Sequence, residues 1–171
     1  MIKMIRYLFY PGVILHEFAH LIMCIFLNVK VSKLKFGLKE SYVKHDNTGP
    51  IRMSLIALAP FYIGFIISYF TILFSKSLNF GWFLFLNYLV FAFLYNSLPS
   101  IQDIKNIVSS IKESIQKDWK KNFSKKIWLL FKIPLIFLPI YICAKLISLI
   151  DKFEILRMLY VIFVFIIAYT F

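Results

Sequence analysis

Long apolar runs alternate along this chain with short, lysine-rich polar stretches. Five runs, residues 5–27, 51–74, 80–98, 127–150 and 153–171, are each near the roughly 20 residues that a helix needs to cross bilayer hydrocarbon. They predict an all-α integral membrane fold, a multi-span bundle of about five transmembrane helices. Between the first two runs, residues 29–38 alternate polar and apolar, with a phase change at Ser32-Lys33. That pattern predicts a short strand pair or a bulged strand at the membrane surface. Asn47-Thr48-Gly49-Pro50 is a turn signal. Pro11-Gly12 predicts a kink or a late start in the first helix, and Pro99-Ser100 ends the third. Residues 103–119 have a different rhythm. Ile104, Ile107, Val108, Ile111, Ile115 and Trp119 share one helical face, while Lys105, Lys112 and Lys117 lie off it. This predicts an amphipathic helix at the interface, followed by the basic cluster Lys120, Lys121, Lys125 and Lys126.

Composition agrees with the runs. Of 171 residues, 61% are hydrophobic and 20 are Phe, which leaves too little polar surface for a water-soluble domain. One polytopic domain, 1–171, is expected. The net charge of +12 points to anionic lipid as a partner rather than to nucleic acid, since no soluble module carries it. Most of the lysines lie in the loops after the first and third runs. Two crossings separate those loops, so they share a side, and the positive-inside rule makes that side cytoplasmic. The expectation is a multi-pass cell-membrane protein with its N-terminus outside and its C-terminus cytoplasmic; Lys3 and Arg6 count mildly against it. The first run holds functional residues and has no small-x-small cleavage site, so it reads as retained. Cys24 and Cys143 both sit in apolar runs and read as small buried hydrophobes.

The chemistry concentrates in His16-Glu17-Phe18-Ala19-His20, an HExxH pattern inside the first apolar run that uses two of the chain's three histidines. Residues four apart share a helix face, so both imidazoles can bind one metal ion, with Glu17 beside it to take a proton from water. Ionisable groups are costly in hydrocarbon and mark functional sites there. A catalytic zinc ion usually takes three protein ligands. Asp103, just after the Pro99 break, is the leading third candidate, with a helix cap as the lesser reading and the two roles compatible. His45-Asp46 is a weaker substitute, and Cys24, four residues past His20, reads as core.

These motifs together resemble the site-two proteases, a family of intramembrane zinc metalloproteases. His16–His20 looks like the family's helical zinc motif, and residues 28–37 look like the alternating segment that follows it. Ala57-Leu58-Ala59-Pro60 is similar to the start of the next core helix, and the stretch from Asn96 to Asp103 resembles the family's Asn-x-x-Pro…Asp-Gly motif. Here that stretch is one residue shorter, and Ile104 stands where the family has Gly. The resemblance covers about Ile5 to Asp103, within a protease core of residues 1–103, and leaves 104–126 as a basic interfacial segment and 127–171 as two further helices. It implies a Zn2+ ion on His16, His20 and Asp103, with Glu17 as general base. Asn96 would then hold the substrate or the oxyanion, or else simply bond a neighbouring helix. The substrate would be a membrane protein or peptide cut near the cytoplasmic side, its unwound backbone added as a strand to residues 29–38. Two rivals stand beside this reading: a catalytically degenerate zinc-binding protein that acts by partner binding, and a metal-transit protein.

Overall fold

Proline positions decide where the helices of this chain begin and bend. The computed structural model describes residues 9–37, 40–120 and 123–170. Lys3, Arg6, Leu38, Lys39, Lys121 and the outer ends of the first and last runs lie outside them. Helix α1 (Tyr10–Phe26) opens with Pro11 in its first turn, where a missing N–H costs nothing. The predicted second run is two helices, α2 (Pro50–Ala57) and α3 (Ala59–Ser75), bent by 43°. Pro60 causes the bend, since it cannot donate to the carbonyl four residues back. Helix α4 (Phe80–Asn96) is capped by the Asn79 side chain, which accepts from the Trp82 amide. The chain then turns by 45° through Pro99 into α5 (Ile101–Trp119). Helices α6 (Phe123–Lys132) and α7 (Leu138–Lys152) join through a π-helical turn at Ile133–Phe137, which contains Pro134. The last helix is α8 (Glu154–Thr170).

Strands β1 (Val31–Lys35) and β2 (Tyr42–His45) form an antiparallel pair. The register shifts between Val31 and Lys33, at the phase change of the sequence pattern. The partner strand comes from residues whose sequence carried no strand signal; Ser32 Oγ bonds the Lys44 carbonyl across the pair. The fold is therefore mostly helical with one small sheet, as the sequence indicates.

Two packing centres organise the helices. In one, Ile72 of α3, Val90 and Leu94 of α4 and Val161, Val164 and Ala168 of α8 are buried together. In the other, the stripe Ile104, Ile107 and Ile111 of α5 packs on Met53 and Ala57 of α2, Leu129 of α6 and Ala144 of α7. The amphipathic stripe that the sequence assigns to a lipid surface thus faces protein, because α6 and α7 fold back along α5, with Lys132 paired to Asp118 at 3.2 Å. Periodicity reports an apolar face and not what covers it.

Helix directions follow from the contacts. Gly64 of α3 meets Ser97, and Asn87 of α4 meets Ser75, so α3 and α4 are antiparallel. At one end of α8, Arg157 lies over Tyr95; at the other, the Ala168 carbonyl accepts from Lys76 Nζ at 2.7 Å. Helix α8 therefore also runs antiparallel to α4, and Thr170 lies at the α3–α4 turn. Counting alternate crossings along the sequence puts it at the opposite end. The difference arises because α5 and the returning α6–α7 form a hairpin. Among the described residues, Lys126–Ile147 is the one helix long and apolar enough to cross a membrane, and each bent pair taken as one span makes three. Helix α1 is apolar and 17 residues long. Large apolar side chains cover the outer faces: Phe26, Phe70, Leu135 and Ile155 are each more than three-fifths exposed.

Candidate metal centre

Gly12 lets α1 approach α4 closely. A Cβ at this position would lie 1.8 Å from the Ala92 carbonyl oxygen and 2.8 Å from Asn96 Nδ2, so no larger residue fits without movement. This approach brings His16 to the end of α4. One turn later, His20 faces the end of α2.

Both imidazoles are held by carbonyls at helix breaks, where the amide four residues on is missing or turned away. His20 Nδ1 donates to the Ile56 carbonyl at 2.7 Å. In a continuous helix that carbonyl would bond the amide of residue 60, but residue 60 is proline. His16 Nδ1 donates to the Asn96 carbonyl at 2.6 Å. That carbonyl would bond the amide of Ser100, but the chain has turned at Pro99, and the Ser100 amide donates instead to Asp103 Oδ2 at 2.7 Å. A carbonyl oxygen only accepts, so each Nδ1 carries the ring's hydrogen. In the neutral rings each Nε2 is then a bare lone pair. This is how metal-binding histidines are oriented.

The two Nε2 atoms stand 3.1 Å apart. Asp103 completes a triangle, with Oδ1 3.5 Å from His20 Nε2 and Oδ2 3.7 Å from His16 Nε2. With both rings neutral, two lone pairs and a carboxylate converge, an arrangement that a cation would stabilise. Ligand bonds of about 2.0–2.1 Å at tetrahedral angles separate donor atoms by about 3.3 Å; the two Nε2 atoms are near that spacing, and one carboxylate oxygen of Asp103 lies within 4.8 Å of both. Among the described residues, this is the one group of three His, Cys, Asp or Glu side chains within reach of a single ion. The residues fit a divalent metal with nitrogen and oxygen donors, a set that suits zinc and other late first-row ions.

Asp103 also has a second task. Ser100 is the N-cap of α5 and Asp103 its third residue; each side chain bonds the other's backbone amide in a capping box. Asp103 is thus not itself the N-cap, and the cap fixes the carboxylate that faces the histidines. Glu17 is buried between the ligand pair on α1 and lines the same cavity as Val43 of β2. It lies outside the three-donor group.

The other sequence candidates separate. Asn96 spends both of its N–H donors, on the Phe9 carbonyl at 3.1 Å and the Ala92 carbonyl at 2.8 Å. Its amide therefore ties the start of α1 to α4 and has no donor left for an oxyanion; its backbone carbonyl is what serves the site. His45 Nδ1 bonds the Asp46 carbonyl at 2.9 Å, and neither residue joins the metal group. Cys24 is buried and also outside the group. Sequence reading missed the close approach at Gly12, the Ile56 carbonyl and the place of β2 at the site. Pro60, four residues after Ile56, was the legible signal for the second.

A cavity of about 580 Å³ opens over the triangle. Glu17 lies on one wall, Tyr42 and Val43 of β2 on another, Gln102 and Asn106 of α5 on a third, and Glu154 and Arg157 of α8 on a fourth. Of the described residues of the alternating segment 29–38, Gly37 alone lines it, whereas Tyr42, Val43 and His45 of β2 all do. Compared with known proteins, the chain matches no family model, no curated protein and no solved structure.

Proposed function

We propose that this chain is an intramembrane zinc metalloendopeptidase that hydrolyses peptide bonds of membrane-protein segments near the cytoplasmic side. The observation that carries the reading is the donor triangle of His16, His20 and Asp103 with an unliganded, buried glutamate beside it. A purely structural ion has no use for that glutamate. Resemblance of the motifs to the site-two proteases supports the same reading, as do the apolar outer faces of the helices.

When bound, the zinc ion supplies Lewis-acid polarisation of the scissile carbonyl and acidifies a water molecule. The protein's own residues do the rest. His16 and His20 keep their Nε2 lone pairs pointed inward through the Asn96 and Ile56 carbonyls. Glu17 accepts the proton of the attacking water and passes it to the leaving amine. A substrate helix must unwind locally before its carbonyls can react. The unwound strand lies along β2, whose Tyr42 and Val43 line the cavity together with Glu17. Gln102 and Asn106 give the cavity a polar wall through which water enters.

We assign the strands and α5 to the cytoplasmic side on their lysines. Thr170 then belongs to the outer side, because α8 runs antiparallel to α4.

The test is co-expression with single-span membrane substrates, scoring a cleaved fragment. Glu17→Gln preserves shape and ligands and should retain zinc while cleavage falls about a hundredfold or more. Cleavage equal to the parent chain's would refute the mechanism. Zinc retained without cleavage by the parent would assign a structural ion instead.

A further inference from the structure

Three residues after Asp103, α5 carries a hydrogen-bond donor that the chemistry above does not use. Asn106 lines the cavity over the triangle and is half-buried there. Its amide oxygen accepts from Gln102 Nε2 at 2.9 Å. Neither hydrogen of its Nδ2 has an acceptor among the described residues. Resting on the peptidase reading, we propose that Asn106 donates to the scissile carbonyl oxygen as that oxygen becomes an anion.

Helix geometry aims the free donors. A helical side chain leans back over the preceding turn, onto the residues three and four positions earlier. For Asn106 these are Asp103 and Gln102. The amide ends in one oxygen and one nitrogen. With the oxygen turned to Gln102, the nitrogen is turned to the Asp103 side, where the Nε2 atoms of His16 and His20 converge. Cβ atoms three residues apart on a helix are about 5–6 Å from each other, so a group seated beside the Asp103 carboxylate is within reach of Asn106 as well. Asp103 does not consume these hydrogens: its Oδ2 accepts from the Ser100 amide and hydroxyl, at 2.7 and 2.6 Å.

The other short polar side chains of the cavity wall are committed elsewhere. Asn96 gives both hydrogens to the Phe9 and Ala92 carbonyls, Ser100 gives its hydroxyl hydrogen to Asp103, and Ser41 gives its own to the Gly37 carbonyl. When water adds, its oxygen bonds the scissile carbon, Glu17 takes its proton, and the carbonyl electron pair moves onto the carbonyl oxygen. Return of that pair expels the amine, which takes the proton from Glu17. A donor fixed before the step stabilises the transient charge without reorganising. Gln102 fixes it here by holding the amide oxygen. Asn106 thus fills the role that the motif resemblance gives to the Asn96 side chain.

Binding of a tetrahedral anion separates this role from packing. Zinc-loaded chain in detergent micelles is titrated with two fluorescein-labelled peptides of Gly, Ala and Leu, one all-amide and one with a phosphinate in place of the central amide. Both are measured with Glu17→Gln, so that the amide is bound and not cut. The phosphinate should bind about a hundredfold tighter or more. Asn106→Leu keeps the bulk and removes the donors. It should lower phosphinate affinity, and kcat with Glu17 intact, by about a hundredfold. Amide-peptide affinity, zinc content and thermal unfolding should stay near the parent's. Asn106→Ala should match it, and Gln102→Ala should show a smaller loss. A phosphinate bound no tighter than the amide, or Asn106→Leu within about threefold of the parent, overturns the proposal. So does an equal loss for both peptides, which marks a packing role. The two readings fail separately. Phosphinate binding that needs Asn106, without cleavage by the chain with Glu17 intact, would refute the peptidase and leave the donor standing; cleavage unchanged by Asn106→Leu would do the reverse.

Discussion

Gly12→Ala is the smallest change that should open the metal centre from a distance. The new Cβ would start 1.8 Å from the Ala92 oxygen and must retreat to about 3.0 Å, a separation of α1 from α4 of about 1.2 Å. Backbone is what it meets, so no flexible side chain can absorb the shift. The His16–Asn96 bond crosses the same interface at 2.6 Å. Even half of that movement takes it to about 3.2 Å, the outer edge of a good hydrogen bond, and all of it breaks the bond. Loss of an outer contact to a metal-binding histidine typically costs 10- to 100-fold in affinity, or about 1.4–2.7 kcal/mol. Overpacking adds about 1–3 kcal/mol of destabilisation. The assay is competition for zinc against a chromophoric chelator, read beside thermal unfolding of the zinc-free chain. Gly81→Ala is the control, since a Cβ there meets nothing nearer than Asn79 Oδ1 at 3.8 Å. Zinc affinity within twofold of the parent in Gly12→Ala would refute the claim that the α1–α4 approach aims His16.

Asp103→Ala should lower zinc affinity and also destabilise α5 by about 1 kcal/mol through the lost capping box; Ser100→Ala should show a similar stability loss with a smaller effect on zinc. Chelator titration and thermal unfolding would separate the two, and equal zinc affinity in both variants would remove Asp103 from the ligand set. Cysteines placed singly at Glu40 and Lys120 should react with an impermeant reagent from the cytoplasmic face, and one at Thr170 from the other face. Labelling of Thr170 with the first two would restore the five-crossing count.

The legible parts of this molecule are those set by local chemistry. The HExxH spacing places two imidazoles on one face of any helix, and Pro60 and Pro99 mark both bends. The break in alternation at Ser32-Lys33 marks the register shift. What stayed hidden depends on contacts distant in sequence. Residues 42–45 become a strand only beside β1. The stripe of α5 looks the same whether lipid or α2 and α7 cover it. The direction of α8 turns on a hairpin that no periodicity encodes. Asn96 was legible as a site residue but not in its role. Its side chain joins two helices, and its backbone carbonyl, which no side-chain motif reports, holds the histidine. Arg157 sits in a run that reads only as a span until α8 is folded against Tyr95.

The central claim is that two helix breaks aim two imidazoles and one carboxylate at a single ion. X-ray absorption at the zinc edge of the purified chain tests it most directly. One zinc per chain is predicted, with two imidazole nitrogens at about 2.0–2.1 Å, oxygen donors at about 2.0–2.2 Å and no sulfur. A chain that holds no zinc after loading, or an ion with a sulfur donor near about 2.3 Å, would contradict it.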